Sequence, residues 1–114
     1  MKYTSTRNKD KVVSSSEAII QGLAEDGGLY TPQSLDQKVD LSSTLELAQY
    51  ILSLFLSDFS HEQIQQCVQN AYQNSFENNE VAPLYKYHDG WLMELWHGPT
   101  SAFKDVALTL LPHL

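Results

Sequence analysis

Three observations predict an α+β fold: a mostly helical N-terminal domain, a β-hairpin and a terminal helix. Apolar residues recur at helical spacing over two long stretches in the middle of the chain. Both stretches, and a shorter one before them, open on Ser-x-x-Glu or Ser-x-x-Gln, the spacing at which two side chains satisfy each other's free backbone N–H groups at a helix start. Finally, Asp89-Gly90 separates two runs rich in aromatic residues, a hairpin signal.

Taken in order, Lys2-Tyr3-Thr4-Ser5 favours a short strand, and 8–11 reads as a polar turn. Ser14 and Glu17 open a helix over 14–24 with Ala18, Ile19 and Leu23 on its apolar stripe. Gly27 or Gly28 can supply the positive φ of its C-cap. A polar connector spans 33–40. Ser43 and Glu46 then open a helix over 43–57, whose Leu45, Ala48, Ile51, Leu52, Phe55 and Leu56 form one buried face. Ser60 and Gln63 open another over 61–75, with Ile64, Cys67, Val68, Ala71, Tyr72 and Phe76 inward. The short link between these two helices predicts an antiparallel pair. An acidic, solvated loop follows at 77–80. Strands at 83–87 and 91–96 turn at Asp89-Gly90, and the final helix runs from about Ala102 to the Leu111-Pro112 interruption. The division expected is 1–80 for the helical domain and 81–114 for the start of a second.

Composition narrows the function classes. Charged residues make up 18% of the chain and hydrophobic residues 42%, which fits a globular protein. A net charge of −7 argues against nucleic-acid binding, which needs a basic face. The single cysteine, Cys67, excludes an internal disulfide and a zinc cluster, suits a reducing compartment, and reads as a small buried hydrophobe. No metal site is expected. No stretch is long and apolar enough to span a membrane, and the basic N-terminus lacks the apolar segment of a signal peptide, so the chain is expected in the cytoplasm.

The chemistry concentrates in one stretch, Glu94-Leu95-Trp96-His97-Gly98-Pro99-Thr100-Ser101-Ala102-Phe103-Lys104-Asp105. Gly98-Pro99 breaks the chain, and Thr100 or Ser101 can cap the helix that follows. Lys104 then falls in the first helical turn, where the positive end of the helix dipole disfavours an ammonium. An apolar setting would lower its pKa further and make a usable amine nucleophile. Against this stands the plain reading of a lone lysine as a solvated surface residue.

The whole string resembles the segment around the cofactor lysine of the threonine synthase family, Glu-Leu-aromatic-His-Gly-Pro-Thr-x-Ala-Phe-Lys-Asp. A second stretch, Gly22-Leu23-Ala24-Glu25-Asp26-Gly27-Gly28-Leu29-Tyr30-Thr31-Pro32, is similar to a glycine-rich pattern found early in the same family. The resemblance implies that Lys104 forms the Schiff base with pyridoxal 5'-phosphate. It also implies that Phe103 and Asp105 position Lys104, that Thr100 and Ser101 contact cofactor or substrate, and that His97 hydrogen-bonds around the site rather than acting as a general base. The parent enzyme would be α/β, like the tryptophan synthase β chain (fold type II), and would convert O-phospho-L-homoserine and water to L-threonine and phosphate.

The five glycines form no Gly/Ser/Thr-rich phosphate cup near Lys104. The chain is therefore expected to be an N-terminal portion of such an enzyme, inactive alone. Its terminal helix is expected to be poorly held, with Phe103, Ala107, Leu110 and Leu111 exposed or buried in self-association. Two other readings compete: a helical interaction module without chemistry, and a threonine-synthase-like phospho-lyase.

Overall fold

The computed structural model describes residues 1–35 and 43–114. It is α+β: β1 (Tyr3–Ser5), β2 (Val12–Val13), α1 (Ser15–Gln21), β3 (Tyr30–Pro32), α2 (Thr44–Phe55), α3 (His61–Tyr72), β4 (Leu84–Tyr87), β5 (Gly90–Met93) and α4 (Asp105–Leu108). Short 3-10 turns at Glu77–Asn79 and Leu111–His113 complete the described elements. The first three residues of the predicted 33–40 connector, 33–35, are described; the rest of it lies outside the described residues.

The core is built around α3. Ile64 and Val68 are fully buried, and Cys67, Ala71, Tyr72, Phe76, Leu56, Val81 and Leu110 close around them. Every apolar position predicted to face inward on α3 does so, because a single apolar stripe on a helix has one way to leave water. Its start is the reciprocal pair foreseen: Gln63 N–H donates to Ser60 Oγ (3.2 Å) and Ser60 N–H to Gln63 Oε1 (2.8 Å). It ends at Tyr72 rather than 75, since Gln73 is extended and Asn74 takes φ 65°. Packed beside it, α2 is less buried than predicted. Leu45, Ala48 and Leu52 are only partly covered, and the first buried side chain is Leu56, just past the helix. Its apolar residues are spread too widely for α3 alone to cover.

A small antiparallel sheet of order β2-β1-β3 is tied to the C-terminal end of α2. The Tyr3 hydroxyl donates to the Phe55 carbonyl oxygen (2.7 Å), and Ser16 N–H donates to Asp58 Oδ2 (2.9 Å). The Ser14/Glu17 box opens α1 as predicted, with bonds of 3.2 and 2.8 Å. The helix stops earlier than predicted, however. Gly22, at φ 69°, is its C-cap, whereas Gly27 and Gly28 belong to a separate turn. There Asp26 Oδ1 accepts from Ser5 Oγ (2.7 Å) and Gly28 N–H (2.8 Å). A side chain on Gly28 would collide with Ser5 Oγ, so this glycine serves close approach rather than capping.

β4 and β5 form the predicted hairpin, paired from Leu84↔Met93 to Tyr87↔Gly90. That register puts the two-residue loop at His88-Asp89, one position before the Asp89-Gly90 turn that was expected. His88 takes the positive φ (49°), and Gly90 starts β5. Every residue of both strands is exposed.

The chain end differs most from expectation. The predicted helix from Ala102 to Leu111 is cut to four residues, Asp105–Leu108. Yet it is not loosely held. The Tyr72 hydroxyl donates to Val106 O (2.7 Å), the Cys67 thiol donates to His113 O (2.7 Å), and Leu110 is buried in the core. Of the four residues expected on an exposed face, Phe103, Ala107 and Leu111 are exposed and Leu110 is not.

Candidate functional site

β5 delivers the chain to residues 98–104, a loop tied off by Asp105. The Asp105 carboxylate is buried and accepts three bonds: Thr100 N–H to Oδ2 (2.8 Å), the Thr100 hydroxyl to Oδ1 (2.5 Å) and Ala102 N–H to Oδ2 (3.4 Å). The bond from the Thr100 hydroxyl, with those from the two amides, holds the Asp105 carboxyl below its ordinary pKa against the opposing cost of burial. Gly98 lies directly over this carboxylate; a Cβ there would sit 2.5 Å from Asp105 Cβ and 2.6 Å from its Oδ2. The turn is finished by Ser101 N–H donating to Gly98 O (3.1 Å), with Ser101 at φ 53°.

This arrangement corrects the capping expectation. Thr100 and Ser101 do not cap α4; the side chain that gathers the free N–H groups is Asp105, reaching backwards from the helix itself. Lys104 consequently occupies the N-cap position rather than the first turn, with helical φ/ψ of −68° and −17°. A one-turn helix has little macrodipole, so it does little to disfavour an ammonium at Lys104. The expected apolar setting is not supplied by the described residues either: Ala102, Phe103 and Lys104 are all exposed. The Lys104 amine has no hydrogen-bond or ion-pair partner among the described residues.

The loop's other end is fixed by His97. Its Nδ1 lies 3.0 Å from Glu77 Oε2 and its Nε2 lies 2.6 Å from Glu94 Oε2. The bonds to Glu77 and then Glu94 raise the His97 pKa above its ordinary value. The Glu77 N–H also donates to the His97 carbonyl oxygen (3.0 Å). Glu77 was expected to be merely solvated, and nothing in its spacing from residue 97 signals the contact. Glu94 was visible as part of the motif but had no role assigned. Among the described residues no group of His, Cys, Asp and Glu is placed to hold a metal ion.

The geometry thus presents an exposed Lys104 on a loop pinned at both ends. Comparison with known proteins agrees with the motifs. Residues 2–72 match the family described as threonine synthase N terminus. The threonine synthase of Pseudomonas aeruginosa is 34% identical over the whole of this chain and 26% of its own length. Among solved structures, a pyridoxal-phosphate-bound threonine synthase from Brucella melitensis aligns with a TM-score of 0.89 at 38% identity, over 99% of this chain and 26% of that one. The yeast enzyme aligns at 0.86 and 36%, over 98% and 25%. The chain spans about a quarter of the length of the relatives it matches. From the family match over 71 of its residues (2–72) and the fold it shares with these enzymes, this chain belongs to the threonine synthase N-terminus family.

Proposed function

We propose that this chain is the N-terminal portion of a pyridoxal-phosphate-dependent threonine synthase, which converts O-phospho-L-homoserine and water to L-threonine and phosphate. The observation that carries the reading is the Lys104 loop: an amine with no hydrogen-bond or ion-pair partner among the described residues, on a backbone pinned by Asp105 and His97, in a chain of this family. Lys104 would hold the cofactor through its amine. Pyridoxal phosphate, when bound, supplies the electron sink for carbanions beside the amino-acid nitrogen.

The remaining roles belong to side chains of this chain. As a neutral amine, Lys104 Nζ would also carry protons between substrate carbons. Asp105 positions Lys104 by closing the loop that carries it, and Phe103, exposed one residue before Lys104, shares that positioning role. Thr100 and Ser101 face the substrate. Thr100 would do so through its hydroxyl oxygen, since its proton is given to Asp105. We place the enzyme in the cytoplasm; no described helix is long and apolar enough to cross a membrane.

Reductive trapping tests the reading. The full-length protein is incubated with pyridoxal phosphate, reduced with borohydride and mapped by mass. Label at Lys104 that disappears in Lys104→Ala is the expected result; label spread over Lys2, Lys38 and Lys86 without excess at Lys104 overturns it. The 114-residue chain alone is expected to release no phosphate from O-phospho-L-homoserine above a Lys104→Ala control, since its sequence holds no phosphate cup. It is expected to self-associate in sedimentation through Phe103, Leu108 and Leu111, which are 65%, 55% and 54% exposed.

A further inference from the structure

His97 stands immediately before the 98–104 loop, and both its ring nitrogens face carboxylate oxygens. An ionised carboxylate only accepts hydrogen bonds. Both contacts can therefore be hydrogen bonds only when both nitrogens carry protons, which makes the ring an imidazolium with two charge-assisted bonds. The two carboxylates come from different parts of the fold. Glu77 opens the 3-10 turn after α3, and Glu94 follows β5. Together with the Glu77 N–H bond to the His97 carbonyl, they fasten the start of the Lys104 loop to the end of the helical domain. The His97 and Glu94 side chains are 17% and 19% exposed, and Glu77, at 74%, closes the outer side. Glu77 and Glu94 are the charged groups that face the ring, and the Trp96 ring lies beside it with centroids 5.6 Å apart.

We infer that His97 is a positioning residue for Lys104: as an imidazolium clasped between Glu77 and Glu94 it sets where the loop leaves the hairpin, and loss of its proton opens the clasp. The inference rests on the reading of Lys104 as the cofactor lysine. A neutral imidazole has a single N–H, so one glutamate would be left facing a ring lone pair. The direction of the pH effect follows from the raised pKa. The clasp is complete below the ordinary histidine value and is lost as pH rises through the higher folded value.

The test is hydrogen exchange of peptides covering 98–105, corrected for the intrinsic chemical rate. It is run on the full-length protein without added cofactor between about pH 6 and pH 9, for wild type, His97→Gln and Glu94→Gln. Wild-type protection is expected to be lost across a single step as pH rises. In His97→Gln the segment should be poorly protected at every pH, with the step gone; in Glu94→Gln the step should move to lower pH. Flat wild-type protection, or a step that survives in His97→Gln, overturns the inference. Peptides from α3 serve as the fold control. Should His97→Gln lose protection there too, Glu94→Gln decides, and an unmoved step sinks the proposal. Because this experiment needs no cofactor, its failure is distinct from a failure of trapping at Lys104.

Discussion

Gly98 and Asp105 are in direct contact: the glycine backbone lies across the buried carboxylate so closely that a methyl group at position 98 would overlap it, 2.9 Å from Cγ. A change at either residue should therefore act on the same loop. Gly98→Ala is expected to cost about 1–3 kcal/mol, the usual range for forcing an added carbon into packed space. It should also expose the bond after Lys104 to trypsin. Denaturation and proteolysis of the variant beside wild type give the answer; unchanged cleavage would mean that the loop tolerates the shift.

Acid should open the same loop from its other end. The folded Asp105 carboxyl is held below its ordinary pKa, chiefly by the Thr100 hydroxyl, so its contribution is present above the ordinary aspartate range and is lost as pH falls through the depressed value. In amide NMR spectra the Thr100 and Ala102 signals should titrate together in acid, and Asp105→Asn should remove that transition. Signals that move independently would show that they do not share one acceptor.

Tyr72→Phe probes the attachment of the chain end. Loss of the hydroxyl leaves the Val106 carbonyl without this partner and should cost about 0.5–1.5 kcal/mol. The loss should appear in the midpoint of urea unfolding. It should be accompanied by faster hydrogen exchange in α4, while β1 to β3 remain as in wild type.

Ile20 of α1 and Ile64 of α3 should behave in opposite ways. Ile64 is 1% exposed, and Ile64→Ala is expected to cost about 2–5 kcal/mol. Ile20 is 85% exposed, and Ile20→Ala should lie within about 0.5 kcal/mol of wild type. Parallel urea unfolding curves settle both.

How much of this was readable beforehand depended on whether the signal was local. Ser14/Glu17 and Ser60/Gln63 were predicted and observed because a capping box is complete within four residues. The buried face of α3 was legible for the same reason, since a periodic stripe carries its own direction. The hairpin was legible in existence but not in register: the ladder from Leu84↔Met93 to Tyr87↔Gly90 fixes the turn, and the Asp-Gly dipeptide only marks its neighbourhood. What failed was decided by distant or backward contacts. α4 lost its first turn because Asp105 turns back to bind Thr100 and Ala102, and Thr100 lost its capping role with it. The grip of Glu77 on His97, across 20 residues, has no periodicity or dipeptide that could reveal it. Lys104 was singled out by motif rather than by physics, and in this fold it is an exposed side chain at the start of a very short helix.

The hairpin's position has a practical consequence for anyone following the unfolding of this protein. The chain's two tryptophans are Trp91, on β5, and Trp96, just after it, and they are 69% and 49% exposed. The core around Ile64 and Val68 contains neither. Intrinsic tryptophan emission would consequently report on the hairpin and the entrance to the Lys104 loop, and would start from an already solvated, red-shifted spectrum. A curve recorded that way could look flat while the helices melt. Far-ultraviolet circular dichroism, or absorbance of the buried Tyr72, would see the core that fluorescence misses.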